Sequence, residues 1–285
     1  MDALLVCKRT TKRVLNHIMN RTWHLRIRKT HRYLGLFIGI QFLLWTVGGL
    51  YFSWSNLDEI HGDHLKRPVG AMPLSLSLVS PSVPLQALGQ LPGVDSVMSM
   101  QLVKVLEKPV YQLTYLMEHG KGQPMTHTQL ADAQTGVLRP ELTEKEAVAV
   151  AQQRFSGASS VEKVEYLTST NGHHEYREKP LPAYAVTFRQ PAHATVYIAA
   201  QLGTVQTVRT DPWRIFDLLW MLHTMDYEGR DDINNNLLRA FSVLGLLTIS
   251  SGFLLFFVSS TRLRRNPKRK AKPAPTLPTL RRVFP

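Results

Sequence analysis

Eleven histidines and one cysteine are the side chains of this 285-residue sequence best suited to bind or transfer something. His17, His24 and His31 recur every seven residues, so on a helix they share one broad face. His61 and His64 sit in DEIHGDHLKRP beside Asp58, Glu59 and Asp63. That set reads either as a hydrated acidic loop or as a divalent-cation site. His223 ends the apolar stretch LLWMLH, and His173 and His174 fall in a polar loop that reads as solvated. Cys7 is the single cysteine, so no disulfide within the chain and no thiolate metal cluster can form. The sequence holds no GxSxG, no HExxH and no phosphate loop, and its carboxylates pair at no recognisable catalytic spacing. Asp231 and Asp232, next to Gly229, read as a loop before a helix.

The elements that position these residues follow from charge and hydropathy. Two apolar runs, 33–54 and 240–258, are each about the length needed to cross a hydrocarbon core of roughly 30 Å as a helix. The tails outside them, 1–32 and 259–285, hold 18 of the 34 Lys and Arg residues and one of the 21 acids, Asp2, for a net charge of +17. The remainder carries −4. Positive flanks stay in the cytoplasm. The expected topology therefore has both termini cytoplasmic and residues 55–236 periplasmic, in a bacterial inner membrane. The first run starts too late and is too long for a cleaved signal peptide, and reads as a retained anchor. A pI near 10 would suit a nucleic-acid binder. Here the basic residues flank membrane spans, where anionic headgroups attract them at about 1 kcal/mol each. The expected partner is the lipid bilayer and not nucleic acid.

The segment 1–32 reads as a basic amphipathic tail that could lie on the inner leaflet before turning into the bilayer. The membrane helices are expected over 33–54 and 237–258, with 259–285 a disordered basic tail interrupted by Pro267, Pro273, Pro275 and Pro278. Gly35 and Gly39 form a GxxxG pair, followed by Gly48 and Gly49, and the second span offers Gly245, Ser250, Ser251 and Gly252. Small residues at this spacing let helices approach closely, either within the chain or in a homodimer.

Between the spans the sequence repeats. YQLTY at 111–115 matches YAVTF at 184–188, each with the alternation of a strand. Each is followed by a second strand and a tight glycine turn, LADAQTGVL at 130–138 and VYIAAQLGTV at 196–205. Further strands are expected at 96–105 and 161–167, and helices near 85–91 and over 143–155, the latter with Thr143 and Glu146 as a capping box. The unit is one helix plus a three-stranded antiparallel sheet, present twice, over 80–140 and 141–209, after a connecting segment 55–79. A helix over 211–227 follows, with Asp211 as N-cap and Pro212 first inside. Its Trp213 and Trp220 are expected together at the outer headgroup level.

The unit LTEKEAVAVAQQRF with its strands and DAQTGV resembles a PepSY domain. RKTHRYLGLFIGI, LLWMLHTMDYEGR and LLTISSGFLLFF resemble the membrane part of PepSY-associated transmembrane proteins. The resemblance covers most of 28–260 and implies a membrane α+β fold, two transmembrane helices flanking two tandem PepSY-like repeats. Larger members with four spans include haem-containing reductases of ferric siderophores. This chain has two spans, and AAQLG stands in its second repeat where the family favours an acidic residue before the turn.

The resemblance implies haem b as a cofactor, with His31 and His223 as ligands. These two are placed on opposite sides of the hydrocarbon, about 30 Å apart, and cannot share one iron. His61 and His64 are the candidates to join His223. His31 would need His24, a symmetry mate in a homodimer, or a partner subunit. Two function classes follow. One is a haem-associated electron-transfer component of ferric iron or siderophore reduction, a membrane oxidoreductase only as part of a larger assembly. The other is a non-enzymatic, membrane-anchored periplasmic module that binds a ligand or modulates a peptidase.

Overall fold

The structure, a computed structural model, describes residues 2–118, 124–157 and 160–264, with side chains described at residue 23 and over 25–257 of these. The amphipathic pattern and the histidines at 17 and 24 concern side chains outside that set. The proline-rich tail from 265 onward lies outside the described residues. The chain divides into two compact units, Met1–Leu43 with Arg239–Pro285, and Leu44–Leu238.

The first unit is built on two helices. Helix α1 (Asp2–Trp54) is 53 residues long. It contains no proline, and its first glycine is Gly35, so nothing in the sequence interrupts its hydrogen-bond ladder. The expected turn between a surface-lying tail and a membrane span is therefore absent. Helix α6 (Asn236–Arg264) starts where the Asn235 side-chain carbonyl accepts the Leu238 N–H at 2.8 Å. It continues through 259–264, residues that the sequence reading assigns to a disordered tail.

Leu25–Trp54 and Asn236–Phe257 are both long and apolar enough to cross a membrane. Within this unit Phe37 meets Phe241 at 5.4 Å between ring centroids. Among the described residues only Ile38, Gln41 and Gly245 of this unit are buried. Leu36, Phe37, Ile40 and Leu43 of α1, and Leu246, Leu247, Phe253 and Phe257 of α6, are exposed.

The second unit carries the core. After α1 come a short helix α2 (Leu57–Ile60) and a 3-10 turn (Asp63–Leu65). Helix α3 (Ser82–Leu88) precedes strands β1 (Val94–Val105), β2 (Lys108–Met117), β3 (Met125–Asp132) and β4 (Leu138–Arg139). Helix α4 (Glu144–Arg154) precedes β5 (Val161–Leu167), β6 (Ala183–Phe188), β7 (Thr195–Ala199) and β8 (Thr204–Arg209). Each group of strands forms an antiparallel sheet in sequential order. The repeat is thus a helix and a four-stranded sheet, one strand more than expected. The addition arises at the glycine turns. Gly136 (φ +77°) and Gly203 (φ +69°) return the chain alongside β3 and β7, so that Leu130 pairs with Arg139 and Ala199 with Thr204.

Alternation decides what each sheet buries. Tyr111, Leu113 and Tyr115 on one face of β2 pack with Leu88 of α3 and with Ala131 and Ala133. In the second repeat Val150, Ala151 and Phe155 at the α4 end pack on Val186, Phe188, Val196 and Ile198. Val105, Val110 and Leu130 join that same cluster, so the two repeats share a core. All five residues of β7 are buried, because Tyr176 and Leu181 cover the face that α4 does not. Helix α4 has the expected capping box, with Thr143 accepting from Glu146 N and Glu146 returning the bond.

Gly203 combines a positive φ with crowding. A Cβ there would stand 2.9 Å from Val105 Cγ2 and 3.3 Å from Leu142 Cδ1, two buried core atoms that cannot swing away. Gly203→Ala is expected to destabilise the second unit by about 2 kcal/mol, about half of it from the left-handed backbone. Circular-dichroism melting of the detergent-solubilised protein checks this, and an unchanged melting temperature would contradict the turn.

Candidate functional site

Helix α5 (Asp211–Thr224) carries His223 in its last turn. Its N-cap is Thr210, whose hydroxyl accepts from Trp213 N, and not Asp211 as the sequence reading has it. The difference is one residue and has a cause. Asp211 is occupied instead by Arg214 at 2.9 Å and by the His193 ring at 2.8 Å. The two tryptophans also part company. Trp213 is buried, with the Arg209 guanidinium 3.9 Å over its ring, so it is no surface anchor. Trp220 faces the end of α1.

His223 sits in an aromatic box. Its ring stacks on Trp220 (6.2 Å, 13°), meets Phe52 edge-on (5.8 Å, 75°) and Trp45 at 6.0 Å. Trp45 Nε1 donates to the His223 carbonyl at 3.0 Å, and Phe52 also packs on Phe216 at 4.8 Å. Gly48 borders this box, and a Cβ there would meet the Phe52 ring at 3.7 Å and the Leu219 carbonyl at 3.9 Å, ordinary contact distances. His223 Nδ1 is buried and has no hydrogen-bond partner. An unmade bond of that kind ordinarily costs about 1–3 kcal/mol.

His31 is held differently. Its Nδ1 lies 2.7 Å from Ser251 Oγ, and that hydroxyl donates its one proton to the Thr248 carbonyl at 2.7 Å. With that proton on the carbonyl, the imidazole donates from Nδ1, which in the neutral ring leaves the lone pair on Nε2. Gly252 makes room, because a Cβ there would stand 3.3 Å from His31 Cε1. An imidazole whose Nδ1–H is fixed by a neighbour is the usual arrangement of a ligating histidine. Gly245 likewise faces the Phe42 ring, whereas Gly35, Gly39 and Gly49 meet nothing within 4 Å. The α1–α6 approach in the first unit thus runs through Gly245, Ser251 and Gly252 and not through the GxxxG pair.

His61 caps α2 with its backbone and has an exposed ring. His64 is exposed, with Nδ1 3.5 Å from the Asp58 carbonyl, and lines a cavity of about 360 Å³ with Tyr51, Trp54, Glu59 and Pro212. The hydrogen bond from Lys66, at 2.7 Å, holds the Asp63 carboxyl below the usual aspartate range against the opposing effect of burial. No hydrogen bond or ring contact joins His61 or His64 to His223 among the described residues. No group of three His, Cys, Asp or Glu side chains converges among them either. As a fit for haem, the described residues bring a single imidazole to each place: His31 with an open Nε2, and His223 walled by three rings. No bis-imidazole site closes among the described residues. His174 departs from its expected solvation, since its Nδ1 accepts from Tyr176 N at 3.0 Å.

Sequence reasoning missed a charged network around α5. Glu175 receives Arg214 Nε at 2.9 Å and the Tyr197 hydroxyl at 2.7 Å, and burial pushes the Tyr197 hydroxyl pKa up. Burial lowers the Arg209 guanidinium to about 10, with the Glu175 charge opposing. Asp217, 4% exposed, lies between Arg177 at 3.0 Å and Arg230, and Arg177 also reaches Asp231 at 3.0 Å. Only the i,i+3 pair Asp211–Arg214 left a local signal in the sequence. In the following loop, Asp226 is pushed up by burial. The N–H groups of Asp232, Gly229 and Glu228 outweigh this and bring it below the usual range. A depressed aspartate stabilises the fold above its unfolded value of about 4, and that contribution is lost as pH falls through the lower folded value.

Arg177→Ala leaves buried Asp217 with one partner and is expected to cost about 3 kcal/mol, while Asp217→Asn with Arg177 intact costs less. Thermal melts of the two variants check the order, and equal melting temperatures to the parent would contradict the network. No family model, curated protein or solved structure matches this chain.

Proposed function

We propose that this protein is a two-pass protein of a bacterial inner membrane whose periplasmic part, 55–236, is a non-enzymatic binding module of two PepSY-like repeats. The carrying observation is where the buried core lies. Apart from Ile38, every buried hydrophobic side chain among the described residues belongs to the second unit. The helices of the first unit instead present Leu and Phe outward, as anchors in hydrocarbon do. The tail charge of +17 supports cytoplasmic termini. In this reading the two helices hold the module at the membrane, and the repeats meet the ligand or a peptidase partner.

A second reading has a specific observation behind it. The open Nε2 of His31 and the orphaned Nδ1 of His223 are the marks of imidazoles prepared for a further partner. In a homodimer, with the open face of Gly35 and Gly39 at the contact, two copies of His31 would be brought to one place. Haem held there would supply one-electron transfer, and this chain would serve a membrane ferric reductase.

The optical spectrum of protein purified from haem-supplied cells separates the two. The binding module predicts no Soret band in the parent and unchanged melting in His31→Ala. A stoichiometric Soret band that is lost in His31→Ala or His223→Ala would overturn it in favour of electron transfer.

A further inference from the structure

A basic cavity lies where three segments of the second unit meet. It is lined by Arg67, Gly70, Lys104, Glu107, Gln153 and Arg154, with Pro68 and Val69 at its edge, and measures about 210 Å³. Its walls are fixed by backbone. Arg67 N donates to Arg154 O at 2.7 Å, and Ser156 N donates to Leu65 O at 2.8 Å, so the segment after the 3-10 turn is strapped along the end of α4. The third wall is the β1–β2 hairpin.

That hairpin has an unusual turn. Its two central residues are Leu106 (φ +49°) and Glu107 (φ +64°), positions that asparagine and glycine normally fill. Each L side chain there costs about 1 kcal/mol or more. Leu106 offsets its share by packing on the shared core. Glu107 does not, since it is exposed. Instead its carboxylate takes Lys104 Nζ on one oxygen and Gln153 Nε2 on the other.

The charges do not balance. Three cationic side chains line the cavity and only one carboxylate answers them. Arg154 is half-buried and makes no side-chain hydrogen bond or ion pair among the described residues, and burial pulls its pKa down. The C-terminal dipole of α4 offsets about half a charge at most. The nearest side-chain partner of Arg67 is the Ser156 carbonyl, at a long 3.5 Å.

We infer that this cavity is a binding site for a small multivalent oxyanion, inorganic phosphate or a short polycarboxylate, held by Arg154, Arg67 and Lys104, with Glu107 standing in for the anion when the site is free. The volume is below the roughly 300–1,000 Å³ of pockets for larger organic ligands, which limits the occupant to a small ion. Guanidinium forks match the paired oxygens of carboxylate and phosphate. The inference deepens the binding-module reading and rests on it in assigning the periplasmic part a ligand. The spectrum tests that reading and the titration below tests the cavity, so either can fail alone.

The test is isothermal titration of inorganic phosphate and, separately, of citrate into the full chain in zwitterionic nanodiscs. The arms show which oxyanion is held, and a third arm with phosphatidylglycerol nanodiscs shows whether a lipid phosphate competes. Saturable binding with a Kd of about 1 mM or tighter is expected for at least one ion. Arg154→Ala should weaken it by about tenfold or more, and Arg67→Ala, at an exposed position, should weaken it without loss of folding. Glu107→Gln should tighten it severalfold by removing the internal competitor. Absence of saturation up to about 20 mM, or weaker binding in Glu107→Gln, would overturn the inference.

Discussion

The exposed Leu and Phe side chains of two long apolar helices are the constraint on which the proposed membrane anchoring rests. Burying one such side chain is worth about 2 kcal/mol, and α1 and α6 each expose several. Within hydrocarbon every backbone group must be satisfied inside the segment, which an unbroken helix does. The polar contacts of the first unit follow the same rule. Ser251 returns its proton to Thr248, and the imidazole of His31 is held by the oxygen left over.

The second unit solves a different problem, that of joining an α-helix of mixed character to two sheets. One side of α5 meets aromatic rings, Phe52 and Trp45, at the end of α1. The other side carries Asp217 and Arg214, which are tied to the loop that holds Glu175 and Arg177. Buried charges of this kind contribute little net stability while paired and cost several kcal/mol when one partner is removed. Their effect is to fix a position. The same loop places Tyr176 over β7, so the covering of the second sheet and the seating of α5 are one event.

Most of the fold was legible in local pattern. Hydropathy located both long helices, and alternation located β2 and β6. The Thr143–Glu146 capping box and the glycines at 136 and 203 named a helix start and two turns. What stayed hidden depends on contacts between distant segments. Strand β4 has two residues and no pattern of its own, and exists because the turn lays it against β3. Trp213 reads as an interfacial anchor until Arg209 is seen over its ring. Arg177 and Asp217 are forty residues apart, and nothing in either neighbourhood points to the other. The histidines were legible as residues but not as sites. Ser251 reads as a small residue for helix packing, and its role as the partner of His31 follows from the structure alone.

The central claim of the proposed account is that both tails share one side of a membrane and that the repeats face the other. Cys7, the only cysteine, makes this directly measurable. A membrane-impermeant maleimide applied to intact spheroplasts should leave the parent protein unlabelled until detergent is added. A variant carrying Cys7→Ser and Gln90→Cys, at an exposed position just after α3, should label at once. Labelling of Cys7 in intact spheroplasts, with the Gln90→Cys variant protected, would contradict the account.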